Sequence, residues 1–220
     1  MNRNREEIKS GLNKIKTDTL AISEEYFEEK LSVSLISYYN MVIAITENTD
    51  ITNEKKKSLL KELYNKYQPD TIEILLEMLE QVYSNTSTKI KDIYEVEDLP
   101  TSKITFYNKD GLTIEDRLDK YFNPKNKDTF IKRKEQALNK MRQITKSESL
   151  NEMNIVEYDK LFDLCSSYEI YNEDYDDDCD TGICPIHWGL YNSLEEPPEM
   201  PMYHPVCECH VAYYIDKENN

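Results

Sequence analysis

The sequence predicts a mainly α-helical fold with an elongated helical amino-terminal region and a small, zinc-stapled α+β module at the carboxy terminus. Three observations support this prediction. Only four glycines and eight prolines occur in 220 residues, and no proline precedes Pro69. Apolar residues recur at helical spacing through most of the first 164 positions, and all five cysteines come later. We therefore expect a helical region at 1–100, a central helical region with a short β-hairpin at 101–164, and a zinc-binding module at 165–220.

The amino-terminal helix is predicted over residues 4–47, as one long helix or two in succession. Ile8, Leu12 and Ile15 have helical spacing, and the apolar residues become denser after Leu35. We interpret this stripe first as core packing. A face that binds a partner is the alternative, because a long helix with a thin apolar stripe often docks on another protein.

Two further helices and a short element are predicted before residue 100. Asn53 can cap the first of them, and Pro69 is expected to end it because proline lacks a backbone N–H. Asp70 then resembles a new helix start. The polar stretch 84–88 is expected to end that helix, and a short element follows over 90–96.

The central region begins with a predicted strand at 103–107 and a turn at 108–111. Thr113 and Asp116 have the spacing of a capping box, in which each residue satisfies a free backbone N–H group at a helix start. The helix that follows is expected to end at Asn123, immediately before a proline.

Two more helices are predicted, over 128–147 and 147–164. The first carries the concentrated basic surface of the chain: Lys132, Arg133, Lys134, Lys140, Arg142 and Lys146. We interpret this surface as a solvated helix face. Contact with an acidic partner, or with the chain's own acidic run at 173–178, is the alternative.

The carboxy-terminal segment is expected to contain strands near 168–171 and 211–215. The acidic run 173–178 lacks the glycine and the final glutamate of a calcium loop, so we interpret it as a solvated loop. Cys165 follows an apolar stretch and is expected to be a buried free thiol.

A structural zinc site is the main functional prediction. Zinc prefers four thiolate or imidazole ligands in a tetrahedron, supplied in pairs from tight turns. Cys184-x-x-His187 is one such pair and Cys207-x-Cys209 is the other. His204 is an alternative fourth ligand, or it hydrogen-bonds a ligating thiolate.

The other candidate ligands are weaker. Cys179 could also coordinate the metal, whereas His210 is expected to point away from Cys209 if the chain there is a strand. A disulfide is the competing interpretation of the cysteines. Glu208 is poorly placed as a general base and no His-Glu-x-x-His pattern occurs, so we predict a structural zinc and no enzymatic activity.

The charge of the chain restricts its partners. Its formal net charge is −16, with 32% charged residues. This charge disfavours binding to nucleic acid and to anionic membranes. No secretory signal and no run of about 18 apolar residues occurs, so neither secretion nor a membrane span is expected.

The terminal motif resembles that of a known family. Cys184-Pro-Ile-His187 is followed by the pair Pro197-Pro198 and then by His204-Pro-Val-Cys207-Glu-Cys209. This order is similar to the carboxy-terminal signature of phage minor head proteins, the head-morphogenesis family typified by the F protein of phage Mu. Histidine stands at 187 where the family has a second cysteine, and glutamate stands at 208 in place of arginine.

The resemblance implies a virion protein in the head interior or at the portal vertex, made in the host cytoplasm during assembly. It implies a role in head assembly, and in DNA packaging or ejection in some relatives. The implied partners are the portal protein, the major capsid protein or both, with multiple copies per virion and no specific nucleic-acid sequence. The alternative function is a cytosolic, zinc-clipped adaptor between proteins.

Overall fold

The computed structural model is mainly helical, which confirms the predicted fold class at that level. It describes residues 4–95, 112–123, 134–172, 188–192, 207 and 209–215. The α-helices are α1 (Arg5–Tyr26), α2 (Ser32–Glu47), α3 (Asn53–Tyr94), α4 (Ile114–Phe122) and α5 (Lys134–Leu161). A π-helical segment, Phe27–Leu31, joins α1 to α2, and a 3₁₀ turn, Phe162–Leu164, follows α5. The strands are β1 (Ser167–Tyr171), β2 (Gly189–Asn192) and β3 (His210–Tyr214).

The amino-terminal helix runs from Arg5 to Glu47 without leaving helical geometry, as predicted for 4–47. Tyr26 and Ser32, which flank the π-helical segment, both have right-handed helical dihedral angles. Within that segment Phe27 and Leu31 are buried. The segment is therefore a local change of hydrogen bonding within a continuous helix.

The predicted end of a helix at Pro69 is wrong, because α3 continues through it. An internal proline costs about 3 kcal/mol, since it removes one backbone hydrogen bond and crowds the preceding turn. Buried side chains on both sides offset that cost: Tyr67 is 5% exposed and Leu75 is fully buried. Tertiary burial outweighs the local signal here.

The polar stretches 84–88 and 147–149 do not interrupt their helices either. The Thr88 hydroxyl donates to the Ser84 carbonyl at 2.9 Å, a bond compatible with continued helix. Ser149 is fully buried within α5. Sequence patterning predicted a boundary at 147 because buried polar residues resemble an exposed stretch.

The chain forms two compact units, each built from separate stretches of sequence. The sheet unit comprises Met1–Ile22, Leu79–Thr105 and Lys146–Asn220. The tyrosine unit comprises Ser23–Met78 and Phe106–Thr145. Three helices, α1, α3 and α5, contribute residues to both. The three-segment division into 1–100, 101–164 and 165–220 stays a prediction.

The sheet unit contains an antiparallel sheet in the order β2-β1-β3. Tyr168 of β1 lies opposite Tyr191 on one side and Tyr213 on the other. All five residues of β3 are buried. Strands predicted at 168–171 and 211–215 are thereby confirmed, with bounds that differ by one residue.

The tyrosine unit is organised around stacked aromatic side chains. The rings of Tyr38 and Tyr67 stack with centroids 4.4 Å apart. Tyr38 donates to the backbone carbonyl of Phe122 at 3.1 Å, and Tyr64 donates to Asp119 at 2.8 Å. Both acceptors belong to α4, so these bonds attach that short helix to α2 and α3.

The capping box that starts α4 is confirmed. The Thr113 hydroxyl accepts from the Asp116 N–H, and the Asp116 carboxylate accepts from the Thr113 N–H, both at 3.0 Å. Asn123 ends the helix as predicted. The predicted strand and turn at 103–111, the start of the helix at 128, and the acidic run 173–178 lie outside the described residues.

Candidate metal centre and its surroundings

The structure describes two of the predicted zinc ligands, Cys207 and Cys209. They lie immediately before β3, and their side chains are buried at 1% and 2% exposure. Cys184, His187 and the alternative ligand His204 lie outside the described residues.

The environment of Cys209 suits a thiolate ligand. The indole Nε1–H of Trp188 donates to its sulfur at 3.4 Å. Donors of this kind support metal-bound sulfur by stabilising its negative charge. The donor set is soft, buried and partly hydrogen-bonded, so these two residues fit one half of a tetrahedral zinc site.

The part of the chain that the structure describes contains no group of three or more histidine, cysteine or acidic residues able to hold a metal ion. A zinc ion at Cys207 and Cys209 would need further ligands from outside the described residues. The four-ligand zinc site stays a prediction.

A buried ion-pair geometry lies next to the cysteines. His210 is the first residue of β3, and its Nε2 is 2.7 Å from Oε2 of Glu157 in α5. Each side chain is 1% exposed. The imidazole also stacks on Tyr171, with ring centroids 6.0 Å apart. This pair connects the edge strand β3 directly to α5.

Sequence patterning missed the role of Glu157. The residue follows Ile155 and Val156, and we assigned it no role from the sequence. Acidic residues also occur nearby at Glu152 and Asp159, so nothing in the local sequence singles out Glu157. His210 was predicted to point away from Cys209, and it forms no metal-binding group with the cysteines among the described residues.

Several polar atoms near this pair are buried without a hydrogen bond in the described residues. They are Nδ1 of His210, Oε1 of Glu157, the hydroxyl of Tyr213 and both amide atoms of Asn154. An atom of this kind costs about 1–3 kcal/mol where neither water nor another residue satisfies it.

The negative charge of the Glu157 carboxylate affects the pKa of two tyrosines. Burial first, and then the negative charge of Glu157, holds the pKa of Tyr94 and of Tyr213 well above the usual value. The Tyr94 hydroxyl accepts from the backbone N–H of Tyr213 at 3.3 Å. That bond satisfies a donor of β3, which lies at one edge of the described sheet.

Cys165 is a buried free thiol, as predicted. Its sulfur donates to the Phe162 carbonyl at 3.1 Å. Burial raises the pKa of this thiol to about 11. Cys165 is thus protonated at neutral pH and chemically unlike a metal-bound thiolate.

Part of the basic surface of α5 is paired within the tyrosine unit. Arg142 forms ion pairs with Glu24, at 3.1 Å, and with Glu28. Lys140 lies over the ring of Tyr121 with its Nζ 4.3 Å from the centroid. Lys132 and Arg133 lie outside the described residues. Contact with an acidic partner, or with the acidic run, stays a prediction.

The outward side of α2 is uncharged and carries both apolar and polar residues. Val33 is 60% exposed, Met41 45% and Ile43 36%, and Ser37, Asn40 and Ala44 are exposed as well. From Ser32 to Thr46 the helix carries no charged side chain. We call the exposed apolar residues Val33, Met41 and Ile43 the α2 face.

Comparison with known proteins yields no match: no protein-family model, no curated protein and no solved structure is similar to this chain. None of the described helices has the length and apolarity that crossing a membrane requires. The resemblance to phage minor head proteins therefore rests on sequence motifs alone.

Proposed function

We propose that this chain is a non-enzymatic structural protein of a tailed-phage head, held together at its carboxy terminus by one zinc ion. The observation that carries the proposal is the pair Cys207 and Cys209, buried before β3 with an N–H···S bond from Trp188 to the second sulfur. The order of motifs around this pair supports the phage head assignment. In that setting the protein lies in the head interior or at the portal vertex and aids head assembly, and possible roles in DNA packaging or ejection follow from the resemblance.

The zinc ion would close the loop between the two ligand pairs. Cys184, Cys207 and Cys209 would supply thiolates, with His187 or His204 in the fourth position. Closing a long loop removes much of its conformational freedom, and metal binding would supply free energy for folding. The metal is thus proposed to be structural.

Burial of the His210–Glu157 pair supports a non-catalytic role. A general acid or base must be within hydrogen-bond reach of a substrate. Both side chains are 1% exposed, so no substrate reaches them in this conformation. The proposed partners are the portal protein, the major capsid protein or both, bound in multiple copies through helical surfaces. No membrane and no specific nucleic-acid sequence is involved.

Metal analysis of the purified full-length protein tests the zinc site. We expect roughly one equivalent of zinc in the native chain. Cys207→Ser should lose most of it, because a hydroxyl is a much weaker zinc ligand than a thiolate. Cys165→Ser is the matched control, since that thiol is buried but is not a proposed ligand, and it should keep the metal.

Two results would contradict the zinc proposal. One is a native protein that contains no zinc after purification without chelators. The other is an unchanged zinc content in Cys207→Ser when circular dichroism shows that the variant keeps its helices.

Head association is tested separately, by following the protein through purification of phage heads from infected cells. Recovery at a fixed ratio to the portal protein would support the proposal. Recovery only in the host cytosol, with none in mature particles, would contradict it. Capture of a specific cytosolic protein from uninfected cells would then favour the zinc-clipped adaptor.

A further inference from the structure

Strand β2 is the least buried strand of the described sheet. Each of its residues is partly or largely exposed, and Leu190 is 52% exposed. By contrast, all five residues of β3 are buried. β2 is attached to β1 by backbone pairing and by the ring of Tyr191, which stacks on Tyr168 with centroids 5.2 Å apart. Because little apolar surface holds it, we expect β2 to open more readily than β3.

The hydrogen bond from Trp188 to Cys209 connects the start of β2 to the start of β3. Both strands pair antiparallel with β1, so they run parallel to each other and begin at the same end of the sheet. Trp188 immediately precedes β2, and Cys209 immediately precedes β3. Strands on either side of a common neighbour lie about 10 Å apart, yet the indole Nε1 reaches to 3.4 Å from the sulfur. The indole therefore crosses the end of β1.

The backbone beside Trp188 supports a special role for this contact. Gly189 follows it directly and has a φ of 151°, which residues with a side chain rarely adopt. Backbone conformations that require glycine cluster at functional sites. The direction of the chain at the start of β2 therefore depends on a glycine at the position next to the indole.

The strength of the Trp188 bond depends on the charge of the sulfur. A neutral thiol is a weak acceptor, whereas a hydrogen bond to an ionised group is roughly twice as strong as one between neutral groups. A cysteine must lose its proton to bind a metal. Zinc binding at Cys209 should therefore strengthen the bond and, through it, the attachment of β2. By linkage, attachment of β2 strengthens zinc binding by the same factor.

We propose that Trp188 is a positioning residue that couples zinc binding at Cys209 to the attachment of β2. This inference rests on the proposed zinc site and is independent of the phage head assignment. On removal of zinc, β2 should loosen, and the backbone groups of β1 that face it should become available for pairing with another strand. The metal would thereby control access to one edge of β1.

Hydrogen–deuterium exchange of the full-length protein, with zinc bound and after its removal by a chelator, tests the coupling. In the native chain zinc should slow the exchange of the segment 188–192 about tenfold. In Trp188→Phe, which keeps an aromatic ring but lacks the N–H, the effect of zinc should be less than about twofold. Circular dichroism should show that this variant keeps its helices.

Tyr191→Leu is the matched control in the same strand. It removes the ring stack on Tyr168 but leaves the bond from Trp188 to Cys209. Exchange of β2 should become faster both with and without zinc, and the ratio of about tenfold between the two states should remain. This contrast separates coupling to the metal from a general weakening of the strand.

Metal binding provides a second measurement of the same contact. Trp188→Phe should bind zinc about tenfold more weakly than the native chain in competition with a chromophoric chelator. In the cobalt-substituted protein, the charge-transfer absorption from sulfur to metal should move to longer wavelength in this variant, because the N–H no longer stabilises the sulfur electrons. A merely structural role for Trp188 would leave that absorption unchanged.

The coupling is overturned if zinc slows the exchange of β2 equally in the native chain and in Trp188→Phe. It is equally overturned if the variant keeps both the native zinc affinity and the native cobalt spectrum. In either case, zinc bound by the native chain would leave the zinc site itself intact. A native chain without zinc would overturn the site and the coupling together.

Discussion

His210 and Glu157 are stable in the interior only as partners. Their side chains are each 1% exposed and meet at 2.7 Å across β3 and α5. Removing one member of a buried pair leaves the other polar and unpaired at a cost of about 3–5 kcal/mol, whereas replacing both with apolar residues is often neutral. We therefore expect the pair to contribute less to stability than the cost of breaking it suggests.

A double-mutant cycle tests this view. His210→Leu should lower the free energy of unfolding by about 3–5 kcal/mol, because the Glu157 carboxylate stays buried without its partner. His210→Leu together with Glu157→Leu should recover most of that loss. Urea denaturation at pH 7 of the native chain, the single variants His210→Leu and Glu157→Leu, and the double variant gives the four values. A double variant less stable than either single variant would contradict the argument.

Glu169 of β1 makes a second prediction, about acid stability. Burial alone would raise its pKa, but hydrogen bonds from Lys9 and Tyr214, at 2.8 and 2.7 Å, outweigh burial. The net effect, to which the charge of Arg5 also contributes, holds the pKa of Glu169 below its usual value of 4.5. Its stabilising effect is therefore complete above about pH 4.5 and disappears as the pH falls through the lowered pKa.

Denaturation of the native chain and of Glu169→Gln from pH 7 to pH 3 measures this effect. We expect the stability advantage of the native chain to be constant near neutral pH and to shrink below about pH 4.5. The effect should be modest, because Glu169 is partly exposed and solvent screens the pair. An advantage that grows toward low pH would contradict the assignment.

At the scale of elements, α4 depends on Thr113, the capping residue that precedes it. A helix of nine residues is too short to be stable by propensity alone. The reciprocal bonds of Thr113 and Asp116 satisfy two backbone donors at its start. Thr113→Ala should therefore lower the free energy of unfolding by about 0.5–2 kcal/mol. Thr113→Ser keeps the hydroxyl and should lose much less, and equal losses from the two substitutions in thermal denaturation would argue against a capping role.

The same element shows what sequence patterning can establish. A capping box is a local interaction between near neighbours, so Thr113 and Asp116 suffice to predict it. Continuation of α3 through Pro69 depends instead on Tyr67 and Leu75, whose burial is set by residues distant in sequence. Local rules contain no information about that burial, and the predicted helix end was therefore wrong.

The candidate metal centre also combines features that the sequence predicts with features that it does not. The clustering of cysteine and histidine in the sequence predicted Cys207 and Cys209 as a pair of ligands. Both residues are buried, shortly before β3. Neither the Trp188 bond to Cys209 nor the Glu157 bond to His210 has a sequence spacing that could reveal it. These contacts span 21 and 53 positions and arise only when the sheet forms.

At the scale of the whole molecule, net charge opposes compaction. A charge of −16 on 220 residues repels itself, and salt screens that repulsion. Raising NaCl from about 10 to about 150 mM shortens the screening length from about 30 to about 8 Å. We expect stability to rise by about 1 kcal/mol, which is a Tm increase of about 2–4 °C for a chain of this size.

Charge-reversal variants provide the control for this prediction. Glu29→Lys with Glu80→Lys changes two exposed residues. Each substitution replaces a negative charge with a positive one, so the net charge moves from −16 to −12. The salt-induced rise in Tm should be smaller in this variant. A rise that is equal or larger would show that salt acts through another route.

The π-helical segment Phe27–Leu31 has a consequence for how this chain tolerates change in length. A residue added to a regular helix rotates everything after it by about 100°, which would move the buried residues of α2 out of the core. A π segment absorbs one extra residue locally. If one residue within 27–31 is deleted, the hydrogen bonding of this segment can therefore adjust, and the residues after it keep their orientation. The same loss next to Leu35 would turn the α2 face toward the interior and expose Tyr38.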